Sequence, residues 1–181
     1  LESARKGIVT EAMEEVARYE GKTPEEIRVL VADGSVVIPA NINHTNRVYH
    51  GIGRDLRVKI NANIGTSPAN TDLESEIRKL AMVEELGAES VMDLSIAGDL
   101  DLIRSTLIKR SRIMVGTVPI YQILTEMKNC IDGINADDIL NTIEKHGSQG
   151  VDFVTVHCGL TRAALPLIEK RVMGVVSRGG S

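Results

Sequence analysis

The chain has 181 residues, 43% of them hydrophobic and 25% charged, with a formal net charge of −4, a balance that suits a soluble α/β protein with a substantial core. Lys and Arg are scattered rather than clustered, and aromatics are scarce, with one Phe, three Tyr and no Trp, so neither the electrostatic footprint nor the stacking platform of a nucleic-acid binder is present. No apolar run approaches the roughly 18 residues of a membrane span, nothing resembles a signal peptide, and Cys130 and Cys158 lie far from each other, which argues against a disulfide framework or a zinc-type ligand set and for the cytoplasm.

Two short helices are expected first. TEAMEEVARYEG opens on Thr10 as N-cap and closes on Gly21; TPEEIRVLVADG has Thr23 as N-cap, Pro24 at the first helical position, Glu25 and Glu26 in the first turn, and Gly34 as its stop. VVIPANIN (36–43) reads as a brief extended element interrupted by Pro39, and 44–56 as a polar connection. Residues 1–56 are therefore expected to form a small, mainly helical extension.

From residue 57 the pattern becomes an alternation of short apolar strands and amphipathic helices. The strand-like stretches are 57–65, 90–95, 112–121, 151–159 and 174–181. Between them, a helix at about 71–86 opens on a Thr71/Glu74 capping box and places Leu73, Ile77, Leu80 and Ala81 on one face. A helix at about 99–110 aligns Leu100, Ile103 and Leu107. The third connection breaks at Gly133 before ADDILNTIEKHG, and the fourth helix, about 161–171, is expected to kink or break at Pro166. The alternation predicts the N-terminal part of a (β/α)8 TIM-type barrel over 57–181. An eight-unit barrel takes roughly 200 to 250 residues, so the chain reads as about half of one, stopping before closure. An incomplete barrel leaves apolar edges that favour self-association.

Active sites of such barrels sit at the C-terminal ends of the strands, and Asn63, Met92, Tyr121, His157 and Ser177 fall at or just beyond those ends. Asn61 and Asn63 share a face if the strand is regular; they read either as a buried polar layer or as ligand-facing carboxamides. Met92 reads as core filler or as a contact for a flat ring, and Asp93 as a helix cap or a hydroxyl-orienting group. Tyr121, on a strand-to-helix loop, can donate to a phosphate or ribose oxygen or lie at the surface. His157 before Cys158 and Gly159 is a site candidate or a hydrogen-bonded structural histidine. His146, near a helix end, reads as a complement to the helix dipole. The densest element is SRGGS: Ser177, Arg178 and Gly179 combine a hydroxyl, a guanidinium and open backbone N–H groups, which together can wrap an anion, or else read as a flexible Gly-Gly-Ser end.

Read together, PANIN, VKINANIGTS, VMDLS, GTVPIYQ, GVDFVTVHCG and VSRGGS resemble, in order, the blocks of the phosphomethylpyrimidine synthase family. The resemblance implies a lyase of thiamine biosynthesis that converts 5-aminoimidazole ribonucleotide into 4-amino-5-hydroxymethyl-2-methylpyrimidine phosphate. It also implies a [4Fe-4S] cluster, S-adenosylmethionine as radical source, a divalent metal (zinc or iron) and a homodimer. By the same resemblance Asn63, Met92, Tyr121 and His157 contact the nucleotide, and Ser177, Arg178 and Gly179 hold its far end. The cluster and metal ligands of the family do not map onto this chain, which on that reading is inactive alone. IAGDL after VMDLS, and the lack of a Pro before Val115-Gly116, depart from the family pattern in the loops. Three other readings stay open: a sister enzyme making 5-hydroxybenzimidazole from the same substrate, a non-radical phosphosugar barrel enzyme with His157 as acid/base, and a non-catalytic half-barrel.

Overall fold

A computed structural model describes residues 1–127, 133–159, 161–168 and 170–173. The expected strand at 174–181, with Ser177, Arg178 and Gly179, and also Cys130, lie outside the described residues.

The chain opens with three helices, α1 (Glu2–Arg5), α2 (Glu11–Glu20) and α3 (Pro24–Ala32). Gly21 ends α2 in the left-handed conformation at φ 68°, which glycine adopts without steric cost. Thr23 and Glu26 close a reciprocal capping box at the start of α3, with Pro24 inside the first turn. Two-residue strands β1 (Val36–Val37) and β2 (Ile52–Gly53) then pair antiparallel. The segment between them departs from the expected polar connection, because His44 and His50 are buried. Met13, Val16, Ile27, Val31 and Val36 make a core for this part of the chain.

The rest is an α/β layer built on a parallel sheet in sequence order: β3 (Asn61–Ile64), β4 (Ser90–Asp93), β5 (Met114–Thr117) and β6 (Phe153–Val154). Helices α4 (Leu73–Glu85), α5 (Leu100–Arg110), α6 (Pro119–Glu126) and α7 (Ala136–Gln149) connect the strands. A 3-10 turn at Arg162–Ala164 leads into α8 (Leu165–Ile168), so the helix expected at about 161–171 is interrupted beside Pro166. Consecutive parallel pairing with helical crossovers is compatible with part of a β/α barrel.

Alternation gives the sheet two unlike faces. Ala62, Ile64, Val91, Val115 and Val154 turn toward Leu80 of α4 and Ile103 and Leu107 of α5, forming the main core. On the opposite face the register aligns Asn63, Met92, Gly116 and Phe153 in one rung, with Asn61 beside Ser90. Asn61 and Asn63 are exposed there, and their carboxamides bond each other at 3.2 Å, so they do not form a buried polar layer. Gly116 is required by its neighbour: a Cβ at this position would lie 2.3 Å from the Phe153 ring.

Two expected details of α4 change. Asp72, not Thr71, caps α4, its carboxylate accepting from the N–H groups of Glu74 and Ser75; a carboxylate satisfies two orphan donors and complements the dipole better than a hydroxyl. The inward stripe of α4 runs through Leu73, Glu76, Leu80 and Val83 rather than to Ala81, which is exposed. Glu76 is buried because it accepts from Gly65 N at 2.8 Å and pairs with Lys79 at 2.6 Å.

The N-terminal segment sits across the N-terminal ends of the strands. Asp152, just before β6, has a fully buried carboxylate that accepts from Asn41 N at 2.9 Å, His44 Nδ1 at 2.7 Å and Val115 N at 2.9 Å. Glu89, just before β4, accepts from Tyr19 Oη and Ile60 N, each at 2.6 Å. Glu20 pairs with Lys59 between them. Above this seal, Val37 and Ile52 of the hairpin and Asn61, Ser90 and Phe153 of the sheet line a cavity of about 300 Å³.

Candidate functional site at the C-terminal edge of the sheet

The opposite edge carries the residues expected to bind a ligand. Asn63 and Met92 are register partners on the exposed face. Thr155, following β6, brings its hydroxyl 3.7 Å from the Met92 sulfur, which ties the fourth strand to the second across the rung. Tyr121 and His157 come together from different connections, their ring centroids 6.3 Å apart at an interplanar angle of 31°. Four of the seven expected site residues thus lie along one edge of the sheet, two as a strand pair and two as a ring pair.

Tyr121 departs from the expected loop placement: it lies in the first turn of α6. Pro119 explains this, because its fixed φ and missing N–H suit the first turn of a helix. Asp93 neither caps a helix nor faces the open side. It is buried on the helix face of β4, accepts from Ser95 N at 3.0 Å, and burial pushes its carboxyl above the usual range despite that bond. The cap of α5 is Asp99.

The loops at this edge are stitched down. Thr66 N donates to Ser95 Oγ at 3.0 Å, and Thr66 Oγ1 to the Ala97 carbonyl at 2.6 Å. Gly65, at φ 149°, lets the Leu94–Ser95 backbone approach so closely that a Cβ would meet it at 2.6 Å.

Behind the edge lies a buried polar network that sequence reading missed. His146 Nδ1 is 2.8 Å from Thr117 Oγ1, and its Nε2 is 2.8 Å from Gln122 Oε1. Arg104 donates to the same Gln122 oxygen and to Gln149 Oε1, and to Asp101 at 3.1 Å. Gln122 Nε2 donates to Glu126 at 2.6 Å and to Asp101 at 3.3 Å. Burial, with Arg104 and Lys145 nearby, drives the His146 pKa down to about 3. It is therefore neutral at neutral pH and does not complement the dipole of α7. The neutral ring fits its partners in one tautomer: Nε2–H donates to Gln122 and Nδ1 accepts from Thr117.

The described residues do not fit an iron–sulfur cluster. Such clusters are held by several thiolates, the sequence has two cysteines, and Cys158 is the one described. No group of three His, Cys, Asp or Glu among the described residues could hold a metal ion. No described helix is long and apolar enough to cross a membrane.

The parallel α/β sheet is compatible with part of a β/α barrel, and comparison with known proteins gives the family. The Radical SAM ThiC family matches residues 1–181, and the chain belongs to that family. A phosphomethylpyrimidine synthase from Desulforamulus reducens is 52% identical over 184 aligned residues, which cover 99% of this chain and 43% of that protein. The chain thus spans less than half the length of this relative.

Proposed function

We propose that this chain supplies part of the nucleotide pocket of a phosphomethylpyrimidine synthase of thiamine biosynthesis. In the full-length protein the reaction takes 5-aminoimidazole ribonucleotide to 4-amino-5-hydroxymethyl-2-methylpyrimidine phosphate, in a cytoplasmic homodimer whose 57–181 segment is the first half of a (β/α)8 barrel. S-adenosylmethionine, a [4Fe-4S] cluster and a divalent metal, held by residues outside this chain, supply the radical chemistry. The residues here bind and orient. Asn63 and Met92 meet the heterocycle and ribose, Tyr121 and His157 close on them from the adjacent units, and Ser177, Arg178 and Gly179 take the phosphate.

The observation that carries this reading is the convergence of Tyr121 and His157, 6.3 Å apart, at the sheet edge that also carries exposed Asn63 and half-buried Met92. Family membership favours it over a non-radical phosphosugar enzyme or a non-catalytic half-barrel.

Calorimetric titration of the full-length protein with the nucleotide and with its dephosphorylated nucleoside tests it. His157→Ala is expected to weaken both ligands. Arg178→Ala is expected to weaken only the nucleotide, by roughly 10- to 150-fold, the loss of one charge-assisted pair. Arg178→Lys restores part of that, because an ammonium cannot reproduce the guanidinium fork. Equal weakening of both ligands by Arg178→Ala would remove Arg178 from the phosphate, and unchanged affinities in both variants would refute the pocket.

A further inference from the structure

The buried network behind the edge touches the binding residues at two places. Gln122 follows Tyr121 in the first turns of α6, so whatever fixes the Gln122 amide also fixes the rotation and depth of that helix end. Thr117 ends β5, and its carbonyl accepts from Thr155 N at 2.8 Å, two residues before His157. The Gln122 amide is held on every side. Its oxygen accepts from His146 Nε2 and Arg104 Nη2, and its nitrogen donates to Asp101 and Glu126. Gln122, Arg104, Thr117 and His146 are all buried.

A helix packed only by apolar contacts can slide or rotate slightly at little cost. One whose amide is bonded by four partners, two from α5, one from α7 and one from its own next turn, has a single low-energy setting, since each broken bond would leave a buried polar group unpaired. Core packing alone did not require this. An apolar residue at position 122 would fill the same space without needing four partners.

We propose that Gln122 is a positioning residue: clamped by Arg104 and His146, it sets Tyr121 at the angle and depth needed to meet the nucleotide. This rests on the reading of Tyr121 as a substrate contact. The network stores no binding energy of its own. It removes the alternative settings of α6 that would otherwise reduce the fraction of binding-competent protein.

The test is a double-mutant cycle in the full-length protein, read by calorimetric titration with 5-aminoimidazole ribonucleotide and accompanied by thermal melting of each variant. Gln122→Met keeps the length of the side chain and removes its hydrogen bonds. It is expected to raise Kd about tenfold in the otherwise native protein and to change Kd by less than about twofold on top of Tyr121→Ala, because its effect passes through Tyr121. A merely structural glutamine would lower the melting temperature and leave Kd of the folded protein unchanged, or would weaken binding equally in both backgrounds; either result overturns the proposal. Should Tyr121→Ala itself leave Kd unchanged, the pocket reading fails and the positioning role falls with it, an outcome distinct from additivity. Should Gln122→Met not fold, Thr117→Val takes its place. It removes only the donor to His146 and is expected to raise Kd about threefold with the same non-additivity, and additive behaviour there is equally fatal.

Discussion

The two ends of the parallel sheet are built from different chemistry. At the N-terminal ends of the strands, ionisable groups are buried and paired across long stretches of chain: Asp152 with His44, Glu89 with Tyr19, Glu20 with Lys59. At the C-terminal ends Asn63 and His157 stand exposed, while the network behind them joins neutral His146 and the amides of Gln122 and Gln149 to Arg104 and Asp101. One end spends its polar groups on holding the N-terminal segment in place; the other leaves them available and holds only their supports. In β/α barrels the N-terminal end of the strands is where residues serve stability, and the buried pairs at that end of this sheet fit that pattern.

The largest effect expected from breaking the contrast is at Asp152. Asp152→Ala leaves His44, the Asn41 and Val115 N–H groups and the nearby Arg47 without their acceptor, and is expected to cost about 3 to 5 kcal/mol of stability, measured by urea unfolding of the full-length protein. A loss below about 1 kcal/mol would mean that the seal is not anchored there. Affinity for the nucleotide in the folded variant is expected to be unchanged.

Next in size is the acid limb. His146 is neutral when folded, with a pKa of about 3, and protonates near pH 6.5 when unfolded. Its depressed value stabilises the unfolded state as pH falls below about 6.5, by about 2 kcal/mol between pH 6.5 and 5. His50, buried at the other end, is lowered by burial too and adds the same sign. Unfolding free energies of His146→Gln as a function of pH should therefore show a shallower acid limb than the native protein, and an identical limb would argue against a neutral buried ring.

His44 acts in the other direction. Burial lowers its pKa, but the bonds to Asp152 and the Ser111 carbonyl outweigh burial and leave it above the ordinary range. Its contribution is complete below about pH 6.5 and fades as pH rises through the elevated value. His44→Asn is expected to flatten that alkaline slope alone, so the two variants divide the pH profile between the two ends. The smallest stability effect is expected at Asn63→Ala, within about ±0.5 kcal/mol for an exposed position. The same variant should still weaken nucleotide binding, and a large destabilisation with unchanged binding would move Asn63 from the site to the scaffold.

Much of the α/β layer was legible because its signals are local. The alternation Asn61-Ala62-Asn63-Ile64 assigns both faces of β3, and Leu100, Ile103 and Leu107 mark the inward face of α5; in the N-terminal segment, Thr23-Pro24 with Glu26 likewise marks the start of α3. The cap of α4 slipped by one residue because Asn70, Thr71 and Asp72 are all competent caps in a row. The helical setting of Tyr121 was available from Pro119 and was outweighed by the apolar run before it. Of the β1–β2 hairpin, the extended element expected at 36–43 contains β1, while β2 and the pairing went unread, since a two-residue strand has no period. The roles of His44, His146 and Gln122 were out of reach for another reason: their partners lie far along the chain, and no local pattern reports a contact made only on folding. At the site, the resemblance picked out residues that the fold brings to one edge, while the supports behind them bear no motif.

The separation of His44 from Asp152, 108 positions in sequence, also orders events in time. Asn41 and His44 leave the ribosome long before the carboxylate that will hold them, and closing so long a loop is entropically expensive until the strands between have already docked. The N-terminal segment is thus made before its partner and secured only after the strands between have docked. Its lock belongs to the final consolidation rather than to the nucleus, so weakening it should hasten unfolding while leaving the rate of folding almost untouched.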